Sequence, residues 1–231
     1  KGLHGYKYKK NIIINAQNSG TLGRLILGLL IDTPYKIRII GDKSLSKRDF
    51  KRVSAPLSKF GAGFKLRNNN FLPLKIYGSS KLKPIKYNEN KGSAQCKSSI
   101  IFAAMRTDGI TTIKAKKSRN HTELILKNFN YPINIKKNKK YDLIKIRGLS
   151  QFNSFNYNVP GDISSAAFFI ALTILSNNSN LLIKDVNINP SRTGIIKILK
   201  KMNAIIKISN RRNYKGEITG DIYIESSNNL K

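Results

Sequence analysis

The chain has almost no sulfur and little acid. Its 231 residues include one cysteine, two methionines, seven prolines and no tryptophan. A lone Cys96 excludes an internal disulfide and fits a reducing, cytoplasmic setting. No apolar run reaches the ~18 residues that a membrane-spanning helix needs, so no membrane partner is expected. The opening Lys1-Gly2-Leu3-His4-Gly5 lacks both an initiator Met and the apolar core of a signal peptide. It therefore reads as the start of an internal piece, and His4 beside it is uninformative. No set of His, Cys, Asp and Glu has metal-ligand spacing, and no Ser/His/Asp set can be argued. Neither a metal nor a cofactor is expected.

Hydrophobic residues make up 40% of the chain and aromatics 9%, the balance of a folded globular protein. Lys and Arg number 43 against 12 acidic residues, a formal charge of +31. One reading is a phosphate-rich partner, nucleic acid included. The other is compositional drift, because Lys, Ile and Asn have AT-rich codons and the lysines are scattered. Drift is the better account, although Lys136-Lys137-Asn138-Lys139-Lys140 forms a local run. An RNA-binding surface needs aromatics interleaved with basic residues on one face. Here the aromatics spread through strand and core positions, so no nucleic-acid partner is expected. Small anions will still be drawn to the surface, with an affinity that falls as salt rises.

Three apolar stretches open on small polar residues. They are Asn18-Ser19-Gly20-Thr21 before Leu22–Leu30, Gly92-Ser93-Ala94-Gln95 before Ser98–Met105, and Pro160-Gly161-Asp162-Ile163-Ser164-Ser165 before Ala166–Leu175. A helix N-terminus offers unpaired N–H groups and partial positive charge, which suit phosphate. Three further helices open near Ser46, Ser118 and Ser191, with arginines at 48, 119 and 192, intervals of 71 and 73 residues. The period near 70 predicts a repeated unit of strand, helix, strand, helix and two more strands.

The strands are predicted at Asn11–Asn15, Tyr35–Gly41, Leu72–Tyr77, Ile110–Lys114, Asp142–Arg147, Leu181–Val186, Ala204–Ile208 and Asp221–Glu225. The helices are expected to bury Leu25, Ile26, Leu29 and their equivalents on one face of each sheet. Phe168, Phe169, Ile170, Leu172 and Leu175 leave almost no polar face, so that helix is expected to be wholly buried. Residues 154–160 read as a linker. The fold class is α/β (α+β), built from repeated βαβαββ units in two domains, 1–157 and 158–231.

Several side chains invite a chemical reading, each beside a plainer one. Arg24 and Lys97 lie in apolar helices, so each pairs either with an anion or with an internal partner. Arg48 and Arg119 sit at helix starts, where the dipole disfavours a cation unless an anion is near; solvent exposure would explain them equally. Ser93 and Gln95 suit a phosphate and a hydroxyl, or else an N-cap and a surface amide. Asp162 reads as a turn or helix-start residue. His121 is a proton carrier or a structural histidine, and Cys96 a buried inert thiol.

Taken together these segments resemble a known family. Asn18-Ser19-Gly20-Thr21-x-x-Arg24, Gly41-Asp42-Lys43-Ser44-Leu45-Ser46-Lys47-Arg48 and Ser93-Ala94-Gln95-Cys96-Lys97-Ser98 are similar to motifs of 5-enolpyruvylshikimate-3-phosphate synthases (3-phosphoshikimate 1-carboxyvinyltransferases). So are Ser118-Arg119-Asn120-His121-Thr122-Glu123, Val159–Phe168 and Asn189-Pro190-Ser191-Arg192-Thr193-Gly194. Departures are Asp49-Phe50 for the usual Pro-Met, and Asn120 for Asp.

The resemblance implies the enolpyruvyl transferase fold, with six repeats in two domains. It implies a reaction in which the enolpyruvyl group of phosphoenolpyruvate moves to the 5-hydroxyl of shikimate 3-phosphate, releasing phosphate. By position, Ser93, Ala94, Gln95, Ser118 and Arg119 would hold shikimate 3-phosphate. Gly20, Arg24, Arg48 and Gln95 would face phosphoenolpyruvate. The family's catalytic acid and base have no counterpart here, so no catalytic residue is expected within these residues and the piece alone is expected to be inactive. The whole protein is expected to be a monomer sensitive to glyphosate. UDP-N-acetylglucosamine enolpyruvyl transferase is the sibling reading, disfavoured because Cys96 lies in a helix rather than a loop.

Overall fold

The computed structural model describes residues 11–151, 154–227 and 229–231; Lys1–Gly5 and His4 lie outside them. The chain forms two compact units. One comprises residues up to Ser118 with Tyr131–Gln151, the other Arg119–Asn130 with Phe152–Lys231.

The expected repeat is present. The first runs β1 (Asn11–Asn15), α1 (Gly20–Leu29), β2 (Lys36–Ile40), α2 (Lys51–Ser58), β3 (Gly63–Arg67) and β4 (Phe71–Tyr77). The second runs β5 (Lys86–Glu89), α3 (Ala94–Met105), β6 (Ile110–Lys116), α4 (His121–Asn128), β7 (Ile133–Lys137) and β8 (Tyr141–Arg147). The third has α5 (Ile163–Leu175), β9 (Asn180–Asn187), α6 (Gly194–Lys201), β10 (Ile206–Tyr214) and β11 (Glu217–Glu225).

The sheets repeat the same order, β1-β2-β4-β3 and β5-β6-β8-β7, with the first pair parallel and the others antiparallel. The third sheet is β10-β11-β9. Its missing first strand is reduced to one parallel bridge, Gly161 to Val186.

In the first unit the sheet faces are sorted by alternation. Ile37 and Ile39 of β2 pair with Ile76 and Leu74 of β4, and all four are fully buried. Helices α1 and α3 pack against each other, and α3 also packs on β6 and β8. The contact face of α1 is Gly20, Gly23, Arg24, Leu27 and Gly28, spaced as one helical stripe. This corrects the expected stripe, because Leu25, Ile26 and Leu29 are only half-buried. An α1 apolar all round does not reveal its buried side; the glycines do. A Cβ at Gly28 would stand 2.1 Å from the Ser99 carbonyl oxygen, so only glycine permits this approach.

The second unit centres on α5 over its sheet. Ile163, Ala166, Ile170 and Ile174 pack on Val186, Ile222 and Ile224. The rest of α5 corrects a second expectation. Phe168 is 80% exposed and Leu175 74%, with Phe169 and Leu172 also open. The helix rests on one sheet face, and no other element among the described residues covers its far side. Helix α4 belongs to this unit. The turn into β11 passes so close beneath it that a Cβ at Gly216, whose φ is +88°, would lie 2.9 Å from the Leu124 carbonyl oxygen.

Candidate functional site

In the first unit two helix N-termini come together. Helix α1 begins after Ser19, whose hydroxyl accepts from the Leu22 N–H at 3.1 Å. Helix α3 begins after Ser93, whose hydroxyl accepts from Cys96 N–H at 3.2 Å. Both are ordinary N-caps. Glu89, buried, accepts N–H bonds from Lys91, Gly92 and Ser93 at 3.2, 2.9 and 3.1 Å. Sequence reading missed this carboxylate. Its signal is an acid just ahead of a glycine that takes positive φ, here +69° at Gly92, on the way into a helix.

Arg24 is the centre of the site. Its Nε and Nη2 donate to the Asp49 carbonyl at 3.3 and 3.0 Å, and Nη1 donates to Gln95 Oε1 at 2.8 Å. The guanidinium lies 5.0 Å above the Phe50 ring. Burial, then the charges of Arg52 and Arg48, bring its pKa down to about 10, against the pull of Asp49. It stays charged at neutral pH, and its hydrogen bonds run to neutral oxygens. Gln95 reaches back from α3, with Nε2 donating to Thr21 Oγ1 at 3.1 Å.

Gly20 joins the same group. A Cβ there would stand 2.9 Å from Arg24 Nη1 and 3.5 Å from Arg48 Nη1, so glycine leaves room for both cations beside the helix end. Arg48 does not open a helix as expected. Residues Leu45–Lys47 form a single 3-10 turn, Arg48 follows in extended conformation (φ −87°, ψ 148°), and α2 starts at Lys51. Asp49 Oδ1 accepts from Arg52 N–H at 3.2 Å and so engages the first turn of α2. Asp42 caps the start of the 3-10 turn: its carboxylate accepts from Leu45 N–H and from Asn18 Nδ2, both at 2.6 Å, which ties the second motif to the first. Those bonds, the Leu45 N–H foremost, hold its carboxyl below the usual range. Arg48 Nη2 in turn donates to Asn18 Oδ1 at 3.3 Å.

The site therefore gathers Gly20, Arg24, Arg48 and Gln95, with Ser93 and Ala94 in the same helix opening as Gln95. The Ser118 hydroxyl oxygen is buried with no hydrogen-bond partner among the described residues. Lys97 is buried and partnered, the internal-partner alternative for that side chain. Beside α3 lies a cleft of about 290 Å³ bordered by Arg52, Tyr87, Lys91, Ser93 and Cys96. The Cys96 Sγ donates to the Arg52 carbonyl at 3.3 Å. Burial first, then Glu89, pushes the thiol up to about 12, so it is inert at neutral pH.

Arg119 lies in the second unit, exposed, just ahead of Asn120, the N-cap of α4. The third opening is occupied by the protein itself. Asp162 caps α5 through Ser164 N–H at 3.0 Å and takes Arg192 Nη2 at 2.6 Å. Among the described residues no three of His, Cys, Asp and Glu gather as a metal site, and no helix is long and apolar enough to cross a membrane.

Two cationic side chains, a bridging amide and two helix openings, built from motifs in register with a 70-residue repeat, can be compared with known proteins. The family model of EPSP synthase (3-phosphoshikimate 1-carboxyvinyltransferase) matches residues 2–224. The chain belongs to the EPSP synthase family. It is 47% identical to the 3-phosphoshikimate 1-carboxyvinyltransferase of Caldicellulosiruptor bescii over 219 residues, 94% of this chain and 50% of that protein. It is 44% identical to that of Petrotoga mobilis, over 98% of this chain and 52% of the relative. The EPSP synthase of Acinetobacter baumannii superposes with TM-score 0.78 at 36% identity, over 95% of this chain and 49% of that one. The enolpyruvyl transferase NikO from Streptomyces tendae, 13% identical with TM-score 0.62, shares the fold. The chain spans about half the length of the EPSP synthases it matches.

Proposed function

We propose that this chain supplies part of the substrate site of a 3-phosphoshikimate 1-carboxyvinyltransferase. In that reaction the 5-hydroxyl of shikimate 3-phosphate adds to C2 of phosphoenolpyruvate as C3 takes a proton. The tetrahedral intermediate then loses a proton from C3 and expels phosphate from C2, leaving the enolpyruvyl ether. Gly20, Arg24, Arg48 and Gln95 face phosphoenolpyruvate. Ser93, Ala94, Gln95, Ser118 and Arg119 face shikimate 3-phosphate. The observation that carries this reading is the bond between Arg24 and Gln95. It joins a buried cation, with no carboxylate hydrogen-bond partner among the described residues, to an amide whose Nε2 donates to Thr21 in the opening of α1. Such a group is preorganised for an anion.

The repeats divide along the chain near 157/158, and the protein acts as a cytoplasmic monomer. Phosphoenolpyruvate and shikimate 3-phosphate are its partners, and no cofactor takes part. The acid and base of the reaction are not assigned to any of these residues, so the chain alone turns over neither substrate. Room at Gly20 makes the whole enzyme sensitive to glyphosate.

Calorimetry tests the reading. Shikimate 3-phosphate should bind, and Gln95→Leu and Arg24→Met should each weaken binding. Salt-sensitive RNA binding of defined site size, with no heat from shikimate 3-phosphate, would overturn it. Binding of UDP-N-acetylglucosamine in place of shikimate 3-phosphate would favour the sibling transferase instead.

A further inference from the structure

We infer that Glu217, at the start of β11, is a positioning residue that fixes the Arg119–His121 segment through a buried polar clamp. The inference rests on the reading of Arg119 as a contact for shikimate 3-phosphate. Glu217 is 2% exposed and both its oxygens are engaged. Oε1 accepts from His121 Nδ1 at 2.5 Å. Oε2 accepts from Asn187 Nδ2 at 3.1 Å and from Asn189 Nδ2 at 3.2 Å. The same Asn189 amide also donates to Asn120 Oδ1 at 3.0 Å. One carboxylate thus holds the two residues that follow Arg119, His121 directly and Asn120 through Asn189.

The clamp is rigid on its far side. Asn189 Oδ1 accepts from Ser191 N–H and Oγ at 2.9 and 2.8 Å, and Asn187 Oδ1 accepts from Asn189 N–H at 3.0 Å. Gly216 brings Glu217 under α4 at a distance no other residue allows. His121 Nε2 is buried without a hydrogen-bond partner among the described residues. Because Glu217 Oε1 is the acceptor, His121 Nδ1 supplies the hydrogen of that bond.

The arrangement explains a feature that packing alone leaves open. Asn120 makes no side-chain cap bond to its own helix. Its side-chain oxygen is spent on Asn189 instead, and Arg119 precedes a helix end pinned from outside. An apolar contact would seat α4 equally well. Three polar side chains converging on one carboxylate, with Asn120 tied in through Asn189, fix its register as well.

The test uses the full chain, shikimate 3-phosphate as titrant, and four proteins: unmodified, Arg119→Ala, Glu217→Gln and the double variant. Glu217→Gln sets an amide N–H₂ against the donors of Asn187 and Asn189. It is expected to weaken binding about tenfold, the loss of one charge-assisted bond. In the Arg119→Ala background the same change should cost less than about twofold, because Glu217 acts through Arg119. Amide exchange at residues 120–123 should rise in Glu217→Gln. His121→Gln, which breaks the pair from its more open side, should reproduce both effects should Glu217→Gln fold poorly. Additive losses, unchanged exchange, or unchanged binding in Glu217→Gln would overturn the inference alone. Unchanged binding in Arg119→Ala would overturn it and also remove Arg119 from the shikimate 3-phosphate contacts. No binding by the unmodified chain would overturn the functional reading, and this inference with it.

Discussion

Arg24 and Gln95 are 71 residues apart in sequence and joined by a 2.8 Å hydrogen bond. That bond brings the opening of α1 to the opening of α3. Gln95→Leu keeps the volume but leaves Arg24 Nη1 without a partner in a buried site. The expected cost is about 1–3 kcal/mol of stability, seen as a lower urea midpoint. Gln95→Glu should behave differently. It puts a carboxylate against Arg24, which keeps the guanidinium paired and cancels the positive charge offered to an anion. Phosphoenolpyruvate binding should be lost while the urea midpoint holds.

Gly28 decides whether the two helices can meet. A Cβ at this position would lie 2.1 Å from the Ser99 carbonyl oxygen, closer than any real contact. Ser99 also donates from Oγ to the Arg24 carbonyl at 3.0 Å, so displacing it disturbs the site as well as the core. Gly28→Ala should destabilise by at least about 1–3 kcal/mol and weaken anion binding. Gly194→Ala is the control. Nothing lies within 4 Å of its Cβ position at the start of α6. Better helix propensity should make it neutral or stabilising by up to about 1 kcal/mol. Urea unfolding of the two variants compares them directly.

The repeat, the fold class and the cluster of Gly20, Arg24, Arg48 and Gln95 were legible because motifs and periodicity sit in local sequence. The unit pattern calls for β3, β5 and β7, but no run was placed on them; all three are short edge strands, and β5 (Lys86–Glu89) and β7 (Ile133–Lys137) are largely polar. The start of α2 was misplaced because Ser46 falls in a 3-10 turn, and the Asp49 side chain engages the first turn of α2 further on. Glu217 was invisible because a carboxylate that serves distant donors carries no local pattern. Glu89 serves N–H groups two to four residues on and leaves only the acid-before-glycine signal. The exposed half of α5 shows the converse: an apolar helix records that a surface is to be covered, but not by what.

Cys96 should be silent in the folded chain. Its thiol is 3% exposed and pushed up to about 12. Reaction with a disulfide reagent requires thiolate, so labelling at neutral pH should proceed only through unfolding. The labelling rate should rise with urea in step with the unfolding transition of the first unit. Rapid labelling in native buffer would show that the cleft beside Arg52 opens without unfolding.

The outer face of α5 should be replaceable without loss of stability. Phe168 and Leu175, at 80% and 74% exposure, contribute little burial to the fold. Exposed apolar surface of this kind promotes association and dye binding. Phe168→Ser with Leu175→Ser should reduce binding of a hydrophobic dye and lower self-association in sedimentation. The unfolding free energy from urea titration should change by less than about 0.5 kcal/mol.

Acid should weaken the second unit through Glu217. Burial pushes this carboxyl up, but hydrogen bonds from His121, Asn187 and Asn189 and the charge of His121 outweigh it, leaving its pKa below the ordinary 4.5. The unfolded chain therefore binds the proton at higher pH than the folded one. The stabilisation is fully present above 4.5 and is lost as pH falls through the lower folded value. Urea midpoints measured from about pH 6 to about pH 3 should fall for the unmodified chain. Glu217→Gln cannot titrate, so its midpoint should start lower and fall less over the same range. Curves that stay parallel would mean that the Glu217 carboxyl titrates alike in the folded and unfolded chains, and that its bonds to His121, Asn187 and Asn189 stabilise nothing.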